Sequence, residues 1–399
     1  MKILIISDSY VPQKISAAGM MYNLSQELVK KKFNITCAFA GKLEKKIKDN
    51  YELNQTNLIS TNIFQSFRDK SLIFRFIFEI STAIILAIKC YFYFKNKQLD
   101  LIIWYGPSVF LWIVVKVVNF SKQATVYYVL RDIFPDWLIF LKVVKNSFII
   151  WLLKKLSDPQ YTVSDIIGVE TKENLDYLEK KIENKTIEFL PNWPNIVIPK
   201  GNKIDEIIQV DFNKSVDLAD KRNFFKIVYT GNTSPAHDYD SLVKFFNKSL
   251  EFKKIQINSF SKLSKSKKVD NNLINQNYWG LVQDYNLPFI FSKMDCGLVC
   301  LSRFAKTANI PGKFVSYTQF GLPIICFANI NSSLSKLILS YNCGIVIDLT
   351  KSSKINIEHF IKFMNDFKKN RKMYSKNAKK LFIENFDTKS IADQILKAL

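Results

Sequence analysis

Short runs rich in Ile, Val and Leu recur along the chain, separated by longer segments in which apolar residues return every three or four positions. Such runs suit strands buried on both faces, and the amphipathic spacers suit covering helices, so the pattern predicts a parallel α/β architecture. In the first half the expected strands are Lys2–Ser7, Asn34–Ala40, Leu99–Tyr105, Ala124–Leu130 and Asp165–Val169, with a first helix over Ala18–Lys31 that ends in lysines. The segment Phe189–Asn195, FLPNWPN, holds two prolines and two asparagines and suits an exposed crossing between domains. The pattern then restarts, with strands expected at Lys226–Tyr229, Lys254–Ser259, Asp295–Leu301, Leu322–Cys326 and Cys343–Ile347. At 399 residues the chain is too long for one ordinary core. Two successive doubly wound domains, 1–192 and 193–399, are the economical account, with a ligand cleft at the strand C-termini where they face each other. The last helix, Lys372–Leu399, is expected either to pack on the second domain or to cross back to the first.

Charge narrows the partners. Lys and Arg number 57 against 35 Asp and Glu, a net +22, which calls for an anionic partner: a phosphate-rich ligand, an acidic lipid surface or nucleic acid. Part of this excess matches the Lys, Asn, Ile and Phe usage of AT-rich genomes and is discounted. The lysine run Lys253–Lys268 lacks a nucleic-acid reading module, so no nucleic-acid partner is expected. Most of the six cysteines sit in apolar runs such as MDCGLVCL, where a thiol acts as a small hydrophobe. MKILIISDS opens a strand at residue 2, leaving no room for a targeting peptide, and the expected compartment is a reducing cytoplasm. The Cys296 to Cys300 spacing has no second pair or nearby histidine to complete a zinc site, and no metal or other cofactor is expected. Two apolar stretches carry charges. Leu72–Phe94 is interrupted by Arg75, Glu79 and Lys89, leaving an uncharged window, Ile80–Ile88, far below the roughly 20 residues of a span. Trp137–Leu156 carries Lys142, Lys145, Lys154 and Lys155. Both fit either core-facing helices or helices lying on an anionic leaflet.

The absences exclude several chemistries. The two histidines, His237 and His359, both lie in the second half, so the first domain has no histidine-based triad. No GxGxxG follows the first strand, since IISDSYVPQKISAAG holds only Gly19, and no GxxxxGK[ST] occurs. What remains are loops at strand ends. In Asn309–Cys326, NIPGKFVSYTQFGLPIIC, Pro311-Gly312 turns the backbone, a helix follows, and Lys313 stands at its start. Unpaired helix amides, a lysine and the upstream Arg303 form a receptacle suited to a diphosphate, although turn, surface helix, turn and core strand describe it equally. Tyr229-Thr-Gly-Asn232 ends a strand with a glycine against which a phosphate or sugar could lie. Asp238 and Asp240 form a DxD that reads first as helix capping. Arg131 and Asp132 follow a strand in VLRDIFPDW and are either cleft residues or a buried ion pair. Asp8 and the small loop Ser16-Ala-Ala-Gly19, which includes Ala18, are either a turn or a ligand shelf.

Taken in order, MKILIISDSYVPQKISAAG, VLRDIFPDW, FLPNWPN, IVYTGN, NYWGLV and IPGKFVSYTQFGLPI resemble the family-4 retaining glycosyltransferases, whose fold is the two-Rossmann-domain GT-B. The likeness is greatest to bacterial transferases of O-antigen and capsule assembly, including the group of L-fucosamine transferases. It implies a nucleotide-sugar donor held mainly by the second domain and an acceptor by the first. Donor contacts would come from Gly231, Asn232, Arg303, Pro311, Gly312, Lys313, Ser316 and Tyr317. Catalytic roles would fall to Lys313, Arg131 and Asp132, and acceptor contacts to Asp8, Ala18 and Gly19. The Glu-x7-Glu pair of many members is missing, since Ala308 and Ser316 occupy those positions. The implied reaction moves a sugar, such as an N-acetylated deoxyhexosamine, from a UDP-sugar to an undecaprenyl-diphosphate-linked saccharide. The enzyme would be peripheral on the inner face of a bacterial plasma membrane. A catalytically degenerate relative that binds glycan or scaffolds other transferases at the membrane is the alternative.

Overall fold

Alternate residues of the first strand face opposite cores: Leu4 and Ile6 enter one apolar cluster, Ile3 and Ile5 another. A strand buried on both faces must be apolar at every position, which is why the run is continuous. The computed structural model describes all residues other than 14, 44–49, 52, 63–71, 107, 141–143, 202, 232–238, 248–249, 262–275, 302–309 and 349, and gives only the backbone of 72–75, 137, 140, 239–241, 243 and 250–251. It divides into two units, Met1–Gly201 with Asp387–Leu399, and Asn202–Phe386.

The first unit holds strands β1 (Lys2–Ser7), β2 (Asn34–Phe39), β3 (Thr56–Ser60), β4 (Leu101–Tyr105), β5 (Thr125–Leu130), β6 (Ile166–Val169) and β7 (Thr186–Phe189). They form one sheet in the order 3-2-1-4-5-6-7, every pair parallel. The second unit repeats the scheme with β8 (Phe225–Thr230), β9 (Ile255–Phe260), β10 (Gln276–Tyr278), β11 (Cys296–Cys300), β12 (Ile324–Phe327) and β13 (Gly344–Ile347), ordered 10-9-8-11-12-13 and again all parallel. In each sheet the chain reverses direction of travel between its first and fourth strands in sequence, and the C-terminal ends of that pair are where such folds receive ligands.

The helices that matter below are α1 (Ser16–Lys30), α2 (Leu72–Phe94), α3 (Ser147–Ser157), α4 (Gly312–Gln319), α5 (Ser353–Asn385) and α6 (Thr388–Leu396). Three edge strands, β3, β7 and β10, have no counterpart among the ten strands expected above. β7 has no fully buried residue and its sequence, TIEF, has little apolar character to announce it. The expected single C-terminal helix is two. Phe386 leaves helical geometry, and Asp387 caps the second helix by accepting from the Ser390 amide. α6 belongs to the first unit: Ile391, Ala392 and Ile395 join the cluster that contains Met20, Leu24 and Leu28 of α1. Gln394 donates to Glu188 Oε1 at 2.9 Å and to the Phe189 carbonyl at 2.8 Å, fastening α6 to the edge strand.

All six cysteines are free and buried, and burial pushes the Cys37, Cys90 and Cys343 thiols up to about 12, consistent with packing rather than reactive roles. α2 buries Ala83, Leu86, Ala87, Cys90 and Phe94 against the first sheet. Among the described residues Phe76–Phe94 is also long and apolar enough, by length and composition, to cross a bilayer, whereas its uncharged window, Ile80–Ile88, is far shorter than a span. The apolar stretch expected over Trp137–Leu156 divides into helix Asp136–Phe140 and α3, with Asn146 capping α3 through the amides of Phe148 and Ile149.

α1 begins at Ser16, so the small residues read as a turn or shelf are its first turns. Ala18 is fully buried, and a Cβ on Gly19 would overlap the carbonyl oxygen of Asn195. Trp193 Nε1 donates to the Met20 carbonyl at 2.6 Å, and Asn23 Nδ2 to that of Pro194 at 2.8 Å. Gly19 therefore lets the Trp193–Ile196 segment lie directly on α1. Gly19→Ala should cost about 1–3 kcal/mol by overpacking. For a unit of this size that is a fall of about 2–12 °C in Tm. An unchanged melting temperature in a thermal unfolding experiment would contradict this close approach.

Candidate active site

The second unit carries the more distinctive constellation. α4 starts at Gly312 because Pro311 is extended (φ −62°, ψ 135°), and Pro311 supplies no side-chain cap. The Phe314 amide donates to the Pro311 carbonyl at 2.9 Å, while the Gly312 and Lys313 amides keep the donor capacity that a helix N-terminus leaves over, together with the positive end of the helix dipole. Lys313 extends from this turn toward the ends of β8 and β11. Its Nζ lies 3.8 Å above the centroid of the Tyr229 ring, the last but one residue of β8. Gly231, one residue beyond β8, holds φ at 98°, a conformation that favours glycine, and a Cβ there would meet Lys313 Cε at 3.7 Å. The side chain of Cys300, ending β11, is close enough to act on the lysine electrostatically. The ammonium therefore sits where the second sheet reverses its order.

Lys313 Nζ is buried and has no hydrogen-bond partner among the described residues, although the residue as a whole is only half-buried. Burial pushes its pKa down from 10.5 to about 7, opposed by Cys300. A sealed amine with three unused donors is costly unless something anionic meets it. The Tyr229 ring face offsets part of that cost.

Tyr317 and Ser316 are turned to other work. Tyr317 OH accepts from the Thr230 amide at 2.9 Å and lies 3.1 Å from Thr230 Oγ1, with its ring fully buried. It is a strut that sets the distance between α4 and the β8 loop. Ser316 Oγ donates to the Gly312 carbonyl at 3.1 Å within the helix. Of the donor-site candidates, the structure brings together Gly231, Pro311, Gly312 and Lys313; Asn232 and Arg303, like His237, Asp238 and Ala308, lie outside the described residues. Tyr229 was missed as a functional residue because nothing local marks a strand tyrosine as a platform for a lysine 84 positions on.

In the first unit, the C-terminal edge of the sheet collects Asp8 after β1, Tyr105 ending β4, Arg131 and Asp132 after β5, and Glu170 after β6. Their charges act on one another: desolvation raises the Tyr105 phenol, Arg131 opposes this, and Asp132, Asp8 and Glu170 reinforce it. Arg131 is 5% exposed and donates through Nη1 to the Leu190 carbonyl at 2.7 Å and through Nη2 to that of Pro191 at 3.2 Å. Its guanidinium lies 5.0 Å from the Trp193 ring. Burial lowers its pKa, with Glu170 the strongest opposing charge. These bonds commit Arg131 to holding the chain after β7, so its direct part is positioning. Glu170 is 3% exposed and accepts from Asn192 Nδ2 at 2.5 Å. It was not singled out from sequence, although its place one residue past a strand is the same signal that marked Arg131. Asp8 accepts from Ser9 Oγ at 2.9 Å, whereas Ala18 and Gly19 are enclosed by packing as described above. Among the described residues no three His, Cys, Asp or Glu side chains cluster as metal ligands would.

No protein-family model matches the chain, and no curated protein matches its sequence. Solved structures do resemble it over nearly its whole length. A sucrose-phosphate synthase from Thermosynechococcus elongatus superposes with a TM-score of 0.64 at 11% identity, covering 99% of this chain and 97% of that one. HepE from Anabaena in complex with UDP-glucose gives 0.63 at 13% identity, covering 100% and 98%. WaaG, a glycosyltransferase involved in lipopolysaccharide biosynthesis, gives 0.61 at 12% identity, covering 98% of each chain. At such identities the likeness is one of fold, and with the two parallel sheets it establishes the GT-B architecture of two Rossmann-like domains.

Proposed function

We propose that this protein is a retaining glycosyltransferase that moves a sugar from a UDP-sugar to an undecaprenyl-diphosphate-linked saccharide. The observation that carries the reading is Lys313: a buried amine without a hydrogen-bond partner among the described residues, at the N-terminus of α4 and set against the Gly231 backbone. A diphosphate supplies what each of these groups lacks, anionic oxygens for the amine and for the helix amides. HepE, of the same fold, was solved with UDP-glucose, which supports a nucleotide-sugar donor. WaaG acts in lipopolysaccharide biosynthesis, which supports a role in surface-polysaccharide assembly.

In this reading the bond between the sugar's anomeric carbon and the diphosphate oxygen breaks as Lys313 and the α4 amides stabilise the charge developing on the leaving group, without a metal. The acceptor hydroxyl forms the new glycosidic bond on the face the diphosphate leaves. Its proton passes to the departing phosphate. Arg131 acts indirectly, by fixing the chain on which the acceptor side of the first unit is built.

The same proposal places the enzyme on the inner face of the plasma membrane. α3 presents Phe148 at 68% and Trp151 at 54% exposure to solvent, with Ile149 and Leu152 also exposed and Lys154 and Lys155 in its last turn. An apolar helix face fringed with lysine suits the headgroup region of an anionic leaflet.

A thermal-shift experiment with UDP and UDP-sugars, paired with UDP release in the presence of a lipid-linked acceptor, tests the reaction. A nucleotide at about a hundred times its Kd should stabilise the native state by about 2.7 kcal/mol. Nucleotide binding without acceptor-dependent UDP release would instead identify a degenerate glycan-binding relative, and no shift with any nucleoside diphosphate would reject the donor site.

A further inference from the structure

Helix α5 carries a charge pattern that the proposed reaction leaves unused. Between Lys368 and Lys380 its sequence has seven cations and no carboxylate. Beyond a kink at Asn370 the helix continues unbroken to Asn385. At about 100° per residue, Lys372, Lys376, Lys379, Lys380 and Ile383 fall within one arc of about 100°. All five are exposed. They border a groove of about 960 Å³ whose other wall is the turn Gln319-Phe320-Gly321 that closes α4. The groove has fixed walls: Ser375 Oγ donates to the Gly321 carbonyl at 2.6 Å, and Lys379 Nζ donates to that of Gln319.

The cations of this groove are differently engaged. Arg371 Nη1 is paired with Asp295 at 3.1 Å, and Lys380 reaches Glu384 only at 3.9 Å on the open surface. Lys372 and Lys376 have no ion pair among the described residues. Between these ammonium groups the groove offers apolar surface, with Ile383 56% and Phe320 37% exposed. Cations alone would suit any polyanion. Cations spaced around exposed apolar side chains suit a lipid surface, where phosphates meet the ammonium groups and glycerol and acyl carbons meet the aliphatic stems and rings.

We propose that the α5 stripe, Lys372, Lys376 and Lys380 around Ile383 and Phe320, is a second membrane-docking surface, carried by the donor-binding unit and specific for anionic lipid headgroups. The inference rests on the membrane placement proposed above but uses no residue of α3. Each lysine near an anionic leaflet contributes about a fivefold change in partition.

The test is cosedimentation of the full chain with vesicles of phosphatidylglycerol and phosphatidylcholine, and with vesicles of phosphatidylcholine alone. The combined variant Lys372→Gln, Lys376→Gln and Lys380→Gln should bind the anionic vesicles about a hundredfold more weakly than wild type at low salt. A control that removes the same number of exposed charges elsewhere, Lys172→Gln, Lys180→Gln and Lys214→Gln, should retain most of the binding. Ile383→Asn, which leaves the charge intact, should also weaken it. Equal losses in the control and the stripe variant would overturn the proposal in favour of diffuse charge attraction. Wild-type partition by the stripe variant, with loss confined to Phe148→Ser and Trp151→Ser, would overturn it and leave the α3 placement standing. No partition of wild type to anionic vesicles would remove both. Tighter binding to a random-sequence RNA than to the vesicles, abolished in the stripe variant, would reassign the surface to nucleic acid.

Discussion

Lys313→Ala should lower the rate of acceptor-dependent UDP release by about 10²–10³, the usual consequence of removing one preorganised electrostatic group at the charge that develops in a transition state. Three features make this position sensitive. The amine is sealed from water, it has no competing partner among the described residues, and Tyr229 and Gly231 hold it at the end of β8. If Lys313 stabilises the leaving group, the loss should fall mainly on kcat, whereas a ground-state contact would raise KM alone. Lys313→Arg should restore activity only in part, because a guanidinium presents its donors in a fixed planar fork and not as the compact, rotatable ammonium. Turnover close to that of wild type in Lys313→Ala would dismiss the diphosphate role.

The same residue should make the ligand-free protein less stable than it could be, and pH should reveal this. The lysine ionises at 10.5 in the unfolded chain and at about 7 in the folded one. Between those values the unfolded state holds a proton that the folded state has released, so stability rises with pH across the window. Below about pH 7 both states are protonated, and the folded protein bears the full cost of a buried ammonium, on the order of 5 kcal/mol. Lys313→Met keeps the length of the stem and removes the charge. Its melting temperature should exceed that of wild type at pH 6, with the gap closing as pH approaches 10. UDP should reverse the order, since wild type gains a partner for its amine and the variant gains none. Thermal unfolding at pH 6 and pH 9, with and without UDP, measures all of this. A methionine variant that melts below wild type at pH 6 without ligand would show that the amine is already satisfied.

Both expectations express one physical conflict. A folded chain gains nothing from an isolated buried cation, so its persistence is informative when the surroundings are otherwise well satisfied. Arg131 makes the contrast. It is more deeply buried as a residue, yet Nη1 and Nη2 each donate to a backbone carbonyl and only Nε is left without a partner among the described residues, so most of its role is accounted for without a ligand.

Sequence by itself determined which segments would be strands of buried parallel sheets, because a strand enclosed on both faces has no polar position to lose. β1 matches its expected limits, Lys2–Ser7, and the other interior strands fall within a residue or two of theirs. It also determined that Pro311-Gly312 would turn the chain into a helix with Lys313 at its start, since proline and glycine act through their own dihedral angles. The edge strand β7 was beyond its reach, because its sequence TIEF carries a diluted apolar signal, whereas the edge strand β13, GIVI, was legible. Only the tertiary structure decided what each polar group at a strand end would do. Arg131 meets carbonyls 59 and 60 residues away, and Tyr317 meets Thr230 at a separation of 87. Hydrogen bonds of that kind leave no local trace, because a side chain's partner is set by where the sheet order brings it and not by its neighbours in the chain. For the same reason an arginine and a lysine that read alike in sequence separate in the fold: one is bound to backbone, and the other is left as a buried amine in need of an anion.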